Sequence, residues 1–207
     1  MIRPGSQTMQ RRALLQQSTA IWASKVSTRA PVLLGAAAFA GTALAQTSAL
    51  PPQELSAELS SPQLAGSTRM RFFGLDICDA KLWVGPGFRA ASYAQHALGL
   101  ELTYLRSLSG RAIAERSIKE MRHAGTLASE VEQRWLAAMT DAFADVQSGD
   151  RLTGLHLPGV GAKFWFNGQP RATVRDTEFS RLFFGIWLSD ATSEPRLRSE
   201  LLARVAP

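Results

Sequence analysis

"RFFGLDICDAKLW", residues 71 to 83, decides the fold of this chain. Its apolar and polar residues alternate, and a period of two marks a strand with one face buried. Phe73, Leu75 and Ile77 fall on one face of that strand, Asp76 and Cys78 on the other. After Asp79 the apolar set moves to Ala80, Leu82 and Val84, which predicts a bulge or a change of face. Gly74 predicts a bend. Arg69 and Arg71 stand just before, two residues apart and so on one strand face.

The same period recurs at 98 to 107, "LGLELTYLRS", where Leu98, Leu100, Leu102 and Tyr104 alternate with Gly99, Glu101 and Thr103. Residues 109 to 124 change to helical spacing, with Ile113, Ser117 or Ile118, and Met121 on one side and Gly125 as a stop. A second helix spans 127 to 146, with Trp135, Met139 and Phe143 inward. Strands return at 148 to 159 and 162 to 176, where Asn167-Gly168 is a strong two-residue hairpin signal. Residues 179 to 188, "FSRLFFGIWL", read as an apolar helix. A last helix follows, capped by Ser193 with Pro195 in its first turn. Strands, two helices, strands, two helices: this order predicts an α+β fold with an antiparallel sheet.

The chain of 207 residues carries a net charge of +6, but the charge is unevenly placed. Residues 1 to 45 hold five basic residues and no acid, whereas residues 46 to 207 hold 18 basic and 17 acidic ones, a net +1. The basic pI therefore belongs to the leader, which removes the main argument for nucleic-acid binding by the folded part. A basic region, the apolar run 31 to 45 and "ALA" before Gln46 have the layout of a secretory signal. We expect cleavage after Ala45, export to the periplasm or the medium, a flexible lead-in over 46 to 62, and one domain over 63 to 207. The apolar run is short for a membrane span, so the mature chain is expected to have none. Its single cysteine leaves no intrachain disulfide, and a core must hold the domain together.

Four runs taken together, "GSTRMRFFGLDICDAKLWV", "LELTYLRSLSG", "GDRLTGLHLPGVGAKFWFNG" and "FFGIWLSDATSEPRLRSELL", resemble the bacterial chalcone isomerase-like proteins over about residues 64 to 205. The resemblance implies a large antiparallel sheet with helices packed on one face and a ligand cleft between them. Some members of the wider family close a flavanone ring and others bind fatty acids. It also implies candidate ligand-binding positions. Arg69 falls where the plant isomerases hold the substrate oxyanion with an arginine, and Cys78 falls at the place of a threonine that polarises the ketone through water. Counted from Leu108-Ser109-Gly110, Ile113 and Glu120 take the places of a tyrosine and an asparagine, and Gly185 that of a threonine or serine. Only the arginine matches. Ring closure needs donors aimed at the developing enolate oxygen, and isoleucine and glycine supply none.

The remaining signals are weaker. His96, His123 and His156 lack metal-ligand spacing, and neither a metal nor a cofactor is expected. "PGVG", 158 to 161, joins two strands and lacks the helix a phosphate loop requires. Cys78 has no base beside it in sequence to lower its pKa and reads as a small cleft-lining residue. Three functions fit this reading. The first is a non-catalytic binder of a small amphipathic acid such as a fatty acid, held by Arg69. The second is an isomerase or lyase using other polar groups. The third is a partner protein with a vestigial cleft.

Overall fold

The computed structural model describes residues 49–205. The leader 1 to 45 and its expected cleavage point lie outside the described residues. The sheet has six strands: β1 (Gln63–Phe72), β2 (Leu75–Val84), β3 (Leu98–Tyr104), β4 (Arg151–Leu157), β5 (Gly161–Phe166) and β6 (Gln169–Val174). They lie side by side in chain order, every pair antiparallel. Helices α2 (Gly110–Met121) and α3 (Ser129–Ala142) are inserted between β3 and β4, and α4 (Thr177–Leu188) and α5 (Pro195–Leu201) follow β6. This is the expected α+β architecture.

The opening stretch is not one strand. Phe73 and Gly74 form a two-residue turn with φ of 49° and 76°, so residues 71 to 83 run down the end of β1, turn, and return along β2. Positive φ at both central residues is the geometry whose twist matches paired strands. The bulge comes at Ile77, before Asp79. Met70 pairs with Cys78 and Arg71 with Asp76, which leaves Ile77 unpaired. Beyond the bulge Cys78, Ala80, Leu82 and Val84 face the helices, and Asp79, Lys81 and Trp83 the other side.

The helix-side core is mostly apolar. Phe164 lies 5.2 Å from both Phe143 and Phe183, edge to face, a geometry worth about 0.5–1.5 kcal/mol per pair beyond area burial. Helix ends tie the layer together. Asp176 caps α4 by accepting from Glu178 N and Phe179 N, and it also accepts from Trp135 Nε1 of α3 at 2.9 Å. Ser109 caps α2. Gly110 begins that helix so close to Phe143 that a Cβ would stand 2.0 Å from its carbonyl oxygen. The last helix is capped at Glu194, not Ser193; Ser193 instead donates to Glu120 Oε2. His156 is buried, with Nε2 on Ala94 O at 3.0 Å and Nδ1 on Ser180 Oγ at 2.6 Å, and burial lowers its pKa. It pins a short 3-10 segment (Ala90–Gln95) to the sheet and to α4.

The stretch read as a flexible lead-in contains a helix, α1 (Gln53–Glu58). Leu55 is fully buried against Gly99 on the sheet's second face, in a small core with Leu59, Trp83, Leu155 and Trp165. One buried leucine contributes about 1.5–3 kcal/mol, enough to hold a helix too short to form alone. Glu54 reinforces it by accepting from Thr153 Oγ1 at 2.8 Å and Arg151 Nη2 at 3.0 Å. Helices therefore cover one face and part of the other. Among the described residues no helix is long and apolar enough to cross a membrane.

Candidate functional site

Between the sheet and helices α2 and α4 lies a cavity of about 240 Å³. Cys78, Leu102, Tyr104 and Leu152 form its floor, all on the helix-facing side of the sheet. Phe183, Ile186 and Trp187 of α4 form one wall. Ile113, Arg116, Ser117 and Glu120 of α2 form the other. Ile113 stands three and four residues before Arg116 and Ser117, and Glu120 four and three after them, the spacing of one helix face. Phe72 and Ile77, from the hairpin and its bulge, also line it. Phe72 is 39 % exposed and stands at the mouth.

Most of the wall is apolar, and its charge is concentrated in α2. Arg116 Nη2 pairs with Glu120 Oε1 at 2.7 Å. Glu120 is buried, and its second oxygen accepts from Ser193. The guanidinium also lies 4.4 Å from the centroid of the Phe72 ring, a cation–π contact. Arg116 Nε is buried with no hydrogen-bond partner. A buried, unmet donor costs about 1–3 kcal/mol, while the side chain as a whole, 31 % exposed, puts a cation at the cavity wall.

Cys78 and Tyr104 complete the polar inventory of the floor. Burial, with Asp79 nearby, pushes the Cys78 thiol up to about 12. Burial also pushes the Tyr104 hydroxyl upward, with Cys78 adding to the effect. Both stay protonated at neutral pH. Cys78 is therefore an unreactive, small wall residue, and Tyr104 presents a neutral hydroxyl that can donate or accept.

The five positions suggested by the family resemblance divide. Cys78, Ile113 and Glu120 meet in the cavity. Arg69 does not. It pairs across the hairpin with Asp79, Nε to Oδ1 at 2.6 Å, and also contacts Asp76 at 3.3 Å. Because Cys78 points into the cavity, its neighbour Asp79 and the facing Arg69 point out of the opposite side of the sheet. The expectation of an inward Arg69 is corrected on that ground: two carboxylates on the outer face hold it there. Gly185 is buried but lies under Tyr93, whose hydroxyl would be 2.7 Å from an added Cβ; its neighbours Ile186 and Trp187 reach the cavity instead. Sequence reasoning missed Arg116 and Tyr104. Both carried a signal: Arg116 falls on the helix face defined by Ile113 and Glu120, and Tyr104 ends the inward series Leu98, Leu100, Leu102.

A family model described as chalcone isomerase-like matches residues 89–203. The chain belongs to the chalcone isomerase-like family. Its fold is similar to the crystal structure of a fatty-acid binding protein of Arabidopsis thaliana, with a TM-score of 0.54 over 69 % of this chain and 87 % of that one. Identity to that protein is 13 %, so the likeness is one of fold. No curated protein sequence matches the chain. The sheet and the helical layer are those of the family.

Proposed function

We propose that this chalcone isomerase-like protein is an exported, non-catalytic binder of a small amphipathic acid, with the acid group at Arg116 and the tail among Leu102, Leu152 and Phe183. The Arg116 guanidinium, a cation on the wall of a mostly apolar cavity, carries this reading. An ionised acceptor that reaches the guanidinium makes a charge-assisted hydrogen bond, stronger than a neutral one. Glu120 already holds Nη2, so the guanidinium is shared between protein and ligand. The fatty-acid binding described for the structural neighbour supports the same ligand class.

The volume limits the ligand. At about 30 Å³ of liquid volume per water, a 240 Å³ cavity holds roughly eight such units. A medium-chain acid fits, and a long chain must leave through the mouth beside Phe72. Calorimetric titration of purified protein with octanoate and palmitate tests this. Octanoate is expected to bind, and Arg116→Lys to weaken it about tenfold or more, because lysine keeps a charge for Glu120 but loses the planar fork. No binding of any acid, or equal binding by Arg116→Lys, sinks the reading. Export is tested separately: the mature N-terminus is expected at Gln46, and intact protein retained in the cytoplasm overturns that part.

A further inference from the structure

The β1–β2 hairpin ends in the most exposed apolar cluster of the described residues. Phe73 is 89 % exposed, Leu75 50 % and Phe72 39 %. Phe73 also occupies a backbone position that bulky residues avoid, with φ of 49°. The chain's other hairpin of this kind has Asn167 there, also at 49°. Asparagine or glycine would relieve Phe73's conformation and remove an exposed ring. An aromatic kept in a strained, solvated position marks a contact made outside the folded chain.

We propose that this tip docks on a phospholipid bilayer and brings the mouth of the cavity to the membrane surface. Phe72 belongs to both structures, since it lines the cavity and is part of the tip. The tip is too narrow for a stable protein partner: standard interfaces bury roughly 800 Å² on each side, and here only three side chains project, from the turn and the two strand ends beside it. A bilayer needs no complementary pocket. The charges fit the same surface. Arg71, 63 % exposed, uses only its Nε on Asp76 and leaves its outer donors free beside the tip, at the depth of lipid phosphates. Arg69 and Arg71 are balanced by Asp76 and Asp79, so insertion of the rings, rather than net charge, is the attraction. The association is weak and reversible, below the roughly 10⁴ M⁻¹ of a single myristoyl chain, as suits a protein that visits a membrane.

Flotation of the purified protein with phosphatidylcholine vesicles at millimolar lipid tests this without any cavity ligand, so its failure is separable from failure of the binding reading above. Wild type is expected to float, and Phe73→Asn, which keeps the turn, to lose at least tenfold in partitioning with an unchanged thermal melt. Leu75→Ser, outside the turn positions, is expected to lose severalfold. The proposal is overturned if wild type stays at the bottom, or if Phe73→Asn floats as wild type does. It is also overturned if flotation needs added phosphatidylglycerol and vanishes in high salt. If wild type sediments as a dimer that Phe73→Asn dissolves, with neither floating, the tip's occupant is a second copy instead.

Discussion

Two hairpins in this sheet share one backbone and differ in everything else. Asn167-Gly168 joins β5 to β6 with φ of 49° and 81°, and Phe73-Gly74 joins β1 to β2 with 49° and 76°. At the first, side chain and backbone agree. Asn167 tolerates the left-handed conformation, accepts from Arg151 N through Oδ1 at 2.8 Å and donates through Nδ2 to Asp150 at 2.9 Å. At the second they conflict: an exposed phenylalanine sits where it gains only an edge contact to Phe72, with centroids 4.4 Å apart. A turn whose residues suit its geometry needs no explanation outside the fold. A turn whose residues oppose it does.

The largest effect comes from moving the conflict. Asn167→Phe puts the strained residue into the well-matched turn and removes two hydrogen bonds. Strain of about 1 kcal/mol and about 0.5–1.5 kcal/mol for each bond predict a loss of about 2–4 kcal/mol in chemical denaturation. A loss below about 1 kcal/mol would falsify the claim that Asn167 is matched to its turn.

Next come the glycines. Gly74 and Gly168 have nearly equal positive φ, and a Cβ at Gly74 would meet nothing within 4 Å, while at Gly168 the nearest atom, Arg151 Nη2, is 3.5 Å away. Alanine at either site therefore measures backbone strain alone, about 1 kcal/mol. The two losses should agree. A much larger one at Gly74 would mean that the strained turn is held more tightly than its exposure suggests. Smaller still is Phe73→Asn. It gains roughly 0.5–1 kcal/mol from the backbone and loses roughly 0.5 kcal/mol of edge contact in water, for a net change of a few tenths in favour of the variant. A clear destabilisation would show that Phe73 supports the fold and weaken its assignment to a membrane.

The same contrast explains what could be read in advance. The Asn-Gly turn was legible because its residues state its geometry. The Phe-Gly turn was not, because Phe73, Leu75 and Ile77 continue an alternating pattern straight through the reversal. Only Gly74 hinted at it. Helix α1 was hidden because six residues with one deeply buried leucine carry no period, and its stability lies in the sheet face it covers. The order of strands and helices was legible from periodicity. The site was half legible: the family resemblance pointed to Cys78, Ile113 and Glu120, which reach the cavity, and the helix face of Ile113 and Glu120 also contained Arg116. Arg69 misled because a strand's side chains alternate sides, and the bulge at Ile77 with the carboxylates of Asp76 and Asp79 decides which side it takes.

The smallest predicted effect separates the hairpins by their chemistry. Each has an aspartate against it, Asp76 at the start of β2 and Asp150 just before β4 and bonded to Asn167, held below the usual carboxylate range. Asp76 is lowered first by its hydrogen bond from Arg71 and then by the charges of Arg71 and Arg69. Asp150 is lowered by hydrogen bonds from the Asn167 amide and the Gln147 N–H, with no cation involved. Both contribute stability that is present above the unfolded carboxylate value near 3.9 and lost as pH falls through their lower folded values. Salt should distinguish them. At about 1 M the screening length is roughly 3 Å, so exposed charge pairs are weakened while neutral hydrogen bonds are not. In an NMR titration of side-chain carboxyl carbons, added salt is expected to raise the Asp76 midpoint toward the ordinary range and leave that of Asp150 in place. If both midpoints move together, Asp150 is governed by long-range charge rather than by Asn167. The well-matched turn would then owe less to its side chain than its geometry indicates.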